Sequence, residues 1–202
     1  MFTGIITDVG RVRSVERSGD TRVVIETAYD TSSIAMGASI ACAGVCLTVV
    51  DKGEGWFAAD VSDETLRCTA VGDWAEGTSI NLERSLKLGD EMGGHIVTGH
   101  VDCVGEITAL TPENDSLTMD ITVPKDFGHL LVAKGSAAIN GTSLTVNSVS
   151  DSDKGTTLSI NLIPHTQSVT SFHDVTLGER VNVEFDILAR YVARLQDTAF
   201  KG

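Results

Sequence analysis

Hydrophobic and polar positions alternate along much of the chain. Residues 21–27 (TRVVIET), 116–123 (SLTMDITV), 157–163 (TLSINLI) and 180–186 (RVNVEFD) place an apolar side chain at nearly every second position, the period of a strand with one face in a core. Clusters of Gly, Asp, Ser and Asn separate these runs and read as turns. The pattern predicts an all-β protein. After Asp186 the period changes: ILARYVARLQDTAF sets Ile187, Leu188, Tyr191, Val192 and Leu195 on one stripe, which predicts an amphipathic C-terminal helix over 187–202. Periodicity leaves open whether that stripe docks on its own barrel or on the helices of sister chains.

The alternation occurs twice in the same order. Residues 2–12 (FTGIITDVGRV) match 97–107 (VTGHVDCVGEI), and 37–49 (GASIACAGVCLTV) match 134–146 (KGSAAINGTSLTV). Further on, 60–69 (DVSDETLRCT) match 161–170 (NLIPHTQSVT), and 77–83 (GTSINLE) match 178–184 (GERVNVE). The offset drifts from 95 to 97 to 101, as it would for two related domains that differ by short loop insertions. Short strands with many turns are best protected by closure, so each half is expected to form a small antiparallel barrel. Gly10, Gly44, Gly77 and their partners mark tight turns or close backbone approaches. The expected domains are 1–92 and 93–186, followed by the helix, with Gly93 and Gly94 as the interdomain turn.

Composition narrows the function. The 202 residues, 42% hydrophobic and 21% charged, are ordinary for a globular protein, and no apolar run nears the ~20 residues of a membrane span. A net charge of -13 repels phosphate backbones and anionic lipid, so neither nucleic acid nor membrane is expected as a partner. The start MFTGIITDVGRV lacks the features of a signal peptide, and a cytoplasmic location is expected. Cys42, Cys46, Cys68 and Cys103 show neither CxxC pairing nor scaffold density, which predicts free thiols. His95 and His100 are five apart in an extended segment and face opposite sides, with no Cys/His cluster to complete a site, so no metal is expected.

MFTGII, SIACAGVCLTV, GGHIVTGHVD, INGTSLTV, LIPHT and VNVEFD together cover nearly the whole chain. In order and spacing they resemble the riboflavin synthase family. The resemblance implies two Greek-key barrels, a homotrimer held by the C-terminal helix, and a site between the first barrel of one subunit and the second barrel of its neighbour. It implies no cofactor. Where the family usually has Asn the chain has Ala43, and Asn140 stands where Asp is common; both flank turn glycines, so small effects are expected.

The implied reaction joins two molecules of 6,7-dimethyl-8-ribityllumazine, one donating four carbons to the other. The substrate's acidic C7 methyl supplies the reactive carbanion, which leaves the protein to position two molecules and manage protons. Positioning can supply up to ~7–11 kcal/mol, and an acid or base about 10²–10⁴-fold. Two copies of a ligand suit two copies of a binding unit. The family pattern assigns Gly4, Ile5, Ile6, Cys46, Leu47, Thr48, Asp60, Val61, Ser62, Asp63, Glu64 and Thr65 to a first pocket. Gly99, His100, Val101, Lys134, Ser143, Leu144, Thr145, Asn161, Leu162, Ile163, Pro164, His165 and Thr166 fall to a second.

Donor and acceptor differ in role, so functional residues should differ between halves. Ile5 against His100, Cys46 against Ser143, Glu64 against His165 and Ser85 against Asp186 do so. His100, Ser143, Cys46 and Asp186 are therefore catalytic candidates, and Thr48 of the first pocket, the same in both halves, is added to them. Three have a plainer reading: for His100 a strand histidine that only hydrogen-bonds, for Cys46 a small buried thiol, and for Asp186 a helix N-cap. Two rival functions stay open. A non-catalytic lumazine- or flavin-binding protein of the same fold would need one good pocket. A flavin-dependent oxidoreductase would need a nucleotide-binding domain, of which there is no G-x-G-x-x-G sign. The sequence leaves association with lumazine synthase open.

Overall fold

The computed structural model describes residues 1–17 and 19–199. The first half contains β1 (Asp8–Arg17), β2 (Thr21–Glu26), β3 (Ser39–Cys42), β4 (Val45–Gly53), β5 (Trp56–Val61) and β6 (Ser79–Arg84). These close into an antiparallel barrel in the order β1-β2-β5-β4-β3-β6. The second half repeats it with β7 (Cys103–Glu113), β8 (Ser116–Val123), β9 (Ser136–Ile139), β10 (Thr142–Ser152), β11 (Gly155–Leu162) and β12 (Arg180–Phe185), whose order β7-β8-β11-β10-β9-β12 is the same. In each barrel three hairpin-linked strands are flanked by one that returns by a longer connection, which is a Greek key.

Alternation builds the cores. In β2, Val23 and Ile25 point inward while Arg22 and Val24 are only partly covered. One barrel encloses Phe57, Ile80 and Leu82, the other Ile121, Ile160 and Phe185. Register shifts between Val12 and Ser14 and between Val49 and Asp51 recur between Ile107 and Ala109 and between Val146 and Ser148. Bulges bend strands at barrel corners, so the duplication kept the corners as well as the strands.

Short helices α1 (Asp63–Cys68) and α2 (Pro164–Val169) follow β5 and β11. Alternation did not predict them because six residues are too few to show a helical period. The local signals were present: Ser62 caps α1 through Thr65 N–H, ahead of Asp63 and Glu64 in the first turn, and Pro164 opens α2. The C-terminal helix α3 (Ile187–Ala199) forms as predicted, and positions 200–202 of the expected helix lie outside the described residues.

The halves do not meet as separate beads. Phe2 and Val97 exchange both backbone hydrogen bonds (2.7 and 3.1 Å), and with Ala41 and Ala138 they form a small third core on a pseudo-twofold axis. On the same axis the turns of Gly44 and Gly141 touch: a Cβ on Gly44 would stand 2.7 Å from the Gly141 nitrogen, and both residues have φ near +80°. Asn81 and Asn182 lock this contact reciprocally. Asn81 donates to the Asn140 carbonyl and accepts from Ser171 N–H; Asn182 donates to the Ala43 carbonyl and accepts from Ala70 N–H. These buried amides are satisfied across the interface, which fixes one orientation of the barrels.

Candidate active site

Strand alternation decides which predicted residues can face a ligand. In β4, Val45, Leu47 and Val49 enter the first core, while Cys46 and Thr48 stand on the outer wall. In β10, Leu144 and Val146 go inward, and Ser143 and Thr145 go outward. Val61 and Leu162 are also buried. The side chains of Leu47, Leu144, Val61 and Leu162 therefore belong to the cores, and a ligand would reach only their backbone. Thr48 pairs with Ser39, and one step beyond the Val49–Ala59 pair it lies beside Asp60. The second wall matches it: Thr145 pairs with Ser136, and one step beyond Val146–Ile160 it lies beside Asn161. Ser62, Asp63, Glu64 and Thr65 continue the first wall into α1, and Ile163, Pro164, His165 and Thr166 continue the second into α2.

The grouping by halves is corrected. Gly4, Ile5 and Ile6 do not lie on the wall that carries Cys46; the Gly4 carbonyl accepts from Ser143 N–H at 2.8 Å. Gly99 does the same for Cys46 N–H at 2.9 Å, and Val101 packs on the first core. A Cβ on Gly4 would stand 2.5 Å from Ser143 Cβ, and one on Gly99 2.5 Å from Cys46 Cβ. The segments are crossed. The first wall is Cys46, Thr48 and Asp60 with Gly99, His100 and Val101; the second is Ser143, Thr145 and Asn161 with Gly4, Ile5 and Ile6. The cause is the Phe2–Val97 pairing, which carries each half's leading segment over to the other barrel.

Two buried carboxylates hold the crossed segments. Glu83 accepts from Thr3 N–H and hydroxyl at 2.7 and 2.8 Å and from Gly4 N–H at 2.9 Å. Glu184 does the same for Thr98 N–H and hydroxyl, both at 2.6 Å, and Gly99 N–H at 2.8 Å. Burial pushes the Glu83 carboxyl above the ordinary carboxylate range, opposed by the Thr3 and Gly4 donors. The signal for these residues was the Glu that ends both copies of the GTSINLE/GERVNVE match, polar at a core position.

A family model for the lumazine binding domain matches residues 3–85 and again 98–186. The riboflavin synthase of Brucella abortus (strain 2308) is 48% identical over 201 residues, covering 96% of this chain and 98% of that protein. The riboflavin synthase of Mycobacterium tuberculosis (strain ATCC 25618 / H37Rv) is 41% identical, covering 98% and 100%. The chain belongs to the riboflavin synthase family. Its fold also matches LumP complexed with 6,7-dimethyl-8-(1'-D-ribityl) lumazine, with a TM-score of 0.80 at 27% identity over 91% of this chain and 98% of that one. LumP complexed with riboflavin gives 0.82 at 26% identity over 92% and 99%.

Other family positions fall as follows. Lys134 is exposed in a turn with φ +68°, where its counterpart Gly37 has φ +81°. A lysine in a conformation that favours glycine costs about 1–2 kcal/mol, strain of the kind found where a side chain has a task. Asp186 accepts from Leu188 N–H at 2.9 Å and so caps α3; it also follows Phe185, which pairs with Ala137, one strand over from Thr145. His100 is exposed beside Cys46. His95, which falls in neither predicted pocket, lies with Nδ1 2.7 Å from Ser143 Oγ. Only tertiary contact reveals that pairing, because His95 belongs to the linker and not to a repeated segment. Among the described residues no three His, Cys, Asp or Glu converge as metal ligands, and Cys42, Cys46, Cys68 and Cys103 are free thiols.

Both walls are open on one side. A hollow of about 540 Å³ borders the second wall at Ile5, between Tyr29 and Glu83, and one of about 780 Å³ lies away from both walls, bounded by Glu106, Thr122 and Arg180. Neither is lined by Cys46 or Ser143.

Proposed function

We propose that this protein is a riboflavin synthase that converts two molecules of 6,7-dimethyl-8-ribityllumazine into riboflavin and 5-amino-6-ribitylamino-pyrimidinedione. The observation that carries the reading is the doubled lumazine-binding unit in a chain that matches riboflavin synthases over nearly its full length. The reaction is a transfer: four carbons leave one lumazine and join the other, and the atoms of two substrates equal those of the two products. No added oxidant is required.

Each wall offers backbone groups beside a row of hydroxyls and carboxylates. Thr48, Asp60, Ser62 and Thr65 on the first wall and Thr145, Asn161 and Thr166 on the second suit a ribityl chain, while the Gly99–Cys46 and Gly4–Ser143 crossings put peptide groups next to a ring edge. Cys46, His100, Ser143 and Asp186 supply the groups that differ between walls.

An open wall holds one ligand on one face, and two ligands must stack for carbon transfer. The assembly that supplies the second face is a homotrimer, with the first wall of one subunit set against the second wall of the next. Support comes from α3: Leu188, Tyr191 and Val192 are 53–65% exposed, while Arg190 on another face of the helix binds Asp102 and Glu184 of its own barrel. An apolar stripe turned away from its own core calls for a partner. The four free thiols fit a reducing cytoplasm, and no described helix is long and apolar enough to cross a membrane.

The test is incubation with the lumazine and detection of riboflavin by absorbance and fluorescence, with light scattering for the assembly. Riboflavin in a one-to-one ratio with the pyrimidinedione is expected. Tight lumazine binding without product would leave a binding protein instead, and a fully active monomer would remove the intersubunit site.

A further inference from the structure

His95 has no task in the reading above, yet the linker is built to place it. Its N–H donates to the Thr3 carbonyl at 3.1 Å, and two residues on, Val97 is bound to Phe2. Gly94 allows the approach: a Cβ there would stand 2.1 Å from the Thr3 oxygen and 2.9 Å from Ser143 Oγ. The linker therefore lies over Ser143 at backbone contact distance, with the imidazole Nδ1 2.7 Å from the hydroxyl and a buried Nε2 that has no hydrogen-bond partner among the described residues. The duplicated segments start at Phe2 and Val97, so this imidazole is not part of what was copied.

We propose that His95 is a positioning residue for the reaction, whose Nδ1 accepts the Ser143 hydroxyl proton while Ser143 Oγ takes a proton from the C7 methyl of the lumazine on the second wall. The C–H bond breaks as an O–H bond forms, the original O–H breaks as an N–H forms on His95, and the electron pair stays in the lumazine anion. The proton returns to the pyrimidinedione as it leaves. This rests on the reading of Ser143 as facing substrate. Burial holds the His95 ring below the ordinary histidine range, against the nearby carboxylates of Asp186 and Glu184. The ring is thus unprotonated and able to accept near pH 7, and the two carboxylates favour the cation formed in the step. Arg190 pairs with Glu184, and the facing stretches Met1–Thr3 and Thr142–Thr145 carry no charged side chain.

The experiment compares wild type, His95→Gln, Ser143→Ala and the double variant for riboflavin formation between pH 4.5 and 9, with lumazine affinity from fluorescence titration. Glutamine keeps a hydrogen-bonding group but cannot take a proton. His95→Gln should lower kcat about a hundred-fold, the low end for a positioned base, with affinity within about threefold of wild type. Wild-type kcat should fall as the pH drops below about 6.5 and His95→Gln should lack that fall, and the double variant should be no slower than Ser143→Ala. An unchanged kcat, a retained acid limb, or losses that multiply would overturn the inference. Nitrogen NMR of the wild-type ring gives a readout that needs no variant to fold: Nδ1 should be unprotonated at neutral pH, and a protonated Nδ1 there would also overturn it. If the wild type itself makes no riboflavin, the assigned function fails; if it turns over and His95→Gln is indifferent, only the role of His95 fails.

Discussion

In the first barrel the Thr7 hydroxyl meets the Tyr29 hydroxyl, which also donates to the Leu82 carbonyl at 3.0 Å. At the matching place in the second, the Asp102 carboxylate accepts from Phe185 N–H at 2.8 Å and from Arg190 of α3 at 3.2 Å. Burial pushes the Tyr29 hydroxyl up to about 12 and the Asp102 carboxyl above its ordinary value, the latter opposed by Phe185 and Arg190. One barrel closes this spot with neutral hydroxyls; the other uses an ion pair that ties the terminal helix to the Thr98–Gly99 crossing. Around both spots the frame is the same: Glu83 and Glu184, Asn81 and Asn182, Gly44 and Gly141. Groups that satisfy backbone or let backbones touch were kept in both copies, and differences gather at the terminal helix and on the outer walls.

The sharpest way to break the symmetry is at its axis. Gly44→Val and Gly141→Val each add a Cβ within 2.8 Å of backbone at positive φ, which combines conformational strain with overpacking. Each should cost about 5 kcal/mol, equal in the two halves, as a fall in the urea midpoint. A loss confined to one half would show that the barrels do not share the axis equally. Next come the buried carboxylates. Glu83→Ala leaves the Thr3 and Gly4 amides without their acceptor and should cost about 3 kcal/mol; Glu184→Ala should cost about 1 kcal/mol more, since Arg190 also loses a partner. Equal costs would mean that the Arg190 contact stabilises nothing.

The walls differ in chemistry, and kinetics should show it. Ser143→Ala should lower kcat about a hundred-fold and His100→Gln about tenfold, each with KM little changed. Should His100→Gln prove the slower enzyme, the wall with Cys46 would be the one that handles protons. The smallest effect concerns the two axial turns, where Ala43 and Asn140 both have φ near +45°. Asn140 accepts from Asn182 N–H at 2.8 Å through its own side chain, and Ala43 has no such group. Ala43→Asn should therefore raise stability by about 1 kcal/mol, and no change in denaturant midpoint would mean that the turn absorbs the strain elsewhere.

By itself the sequence determined two barrels, four of their strands and the final helix, because a period of two, turn residues and a repeated order are local properties that survive any rearrangement of distant parts. The outer-wall residues Cys46, Thr48, Ser143 and Thr145 came from the family pattern, which did not separate them from the inward Leu47 and Leu144. The tertiary structure alone decided which residues share a wall. Gly4 meets Ser143 across 139 positions and Gly99 meets Cys46 across 53, because a single strand pairing at Phe2 and Val97 carries both leading segments over. It also decided that His95 sits on Ser143, and that the stripe of α3 stays exposed while Arg190 reaches into its own barrel. Contacts of this kind are chosen by buried amides, carboxylates and glycine approaches at the pseudo-twofold axis, where each polar group must find its partner on the other half. A one-dimensional pattern shows that such a group is buried, and the folded chain shows with whom.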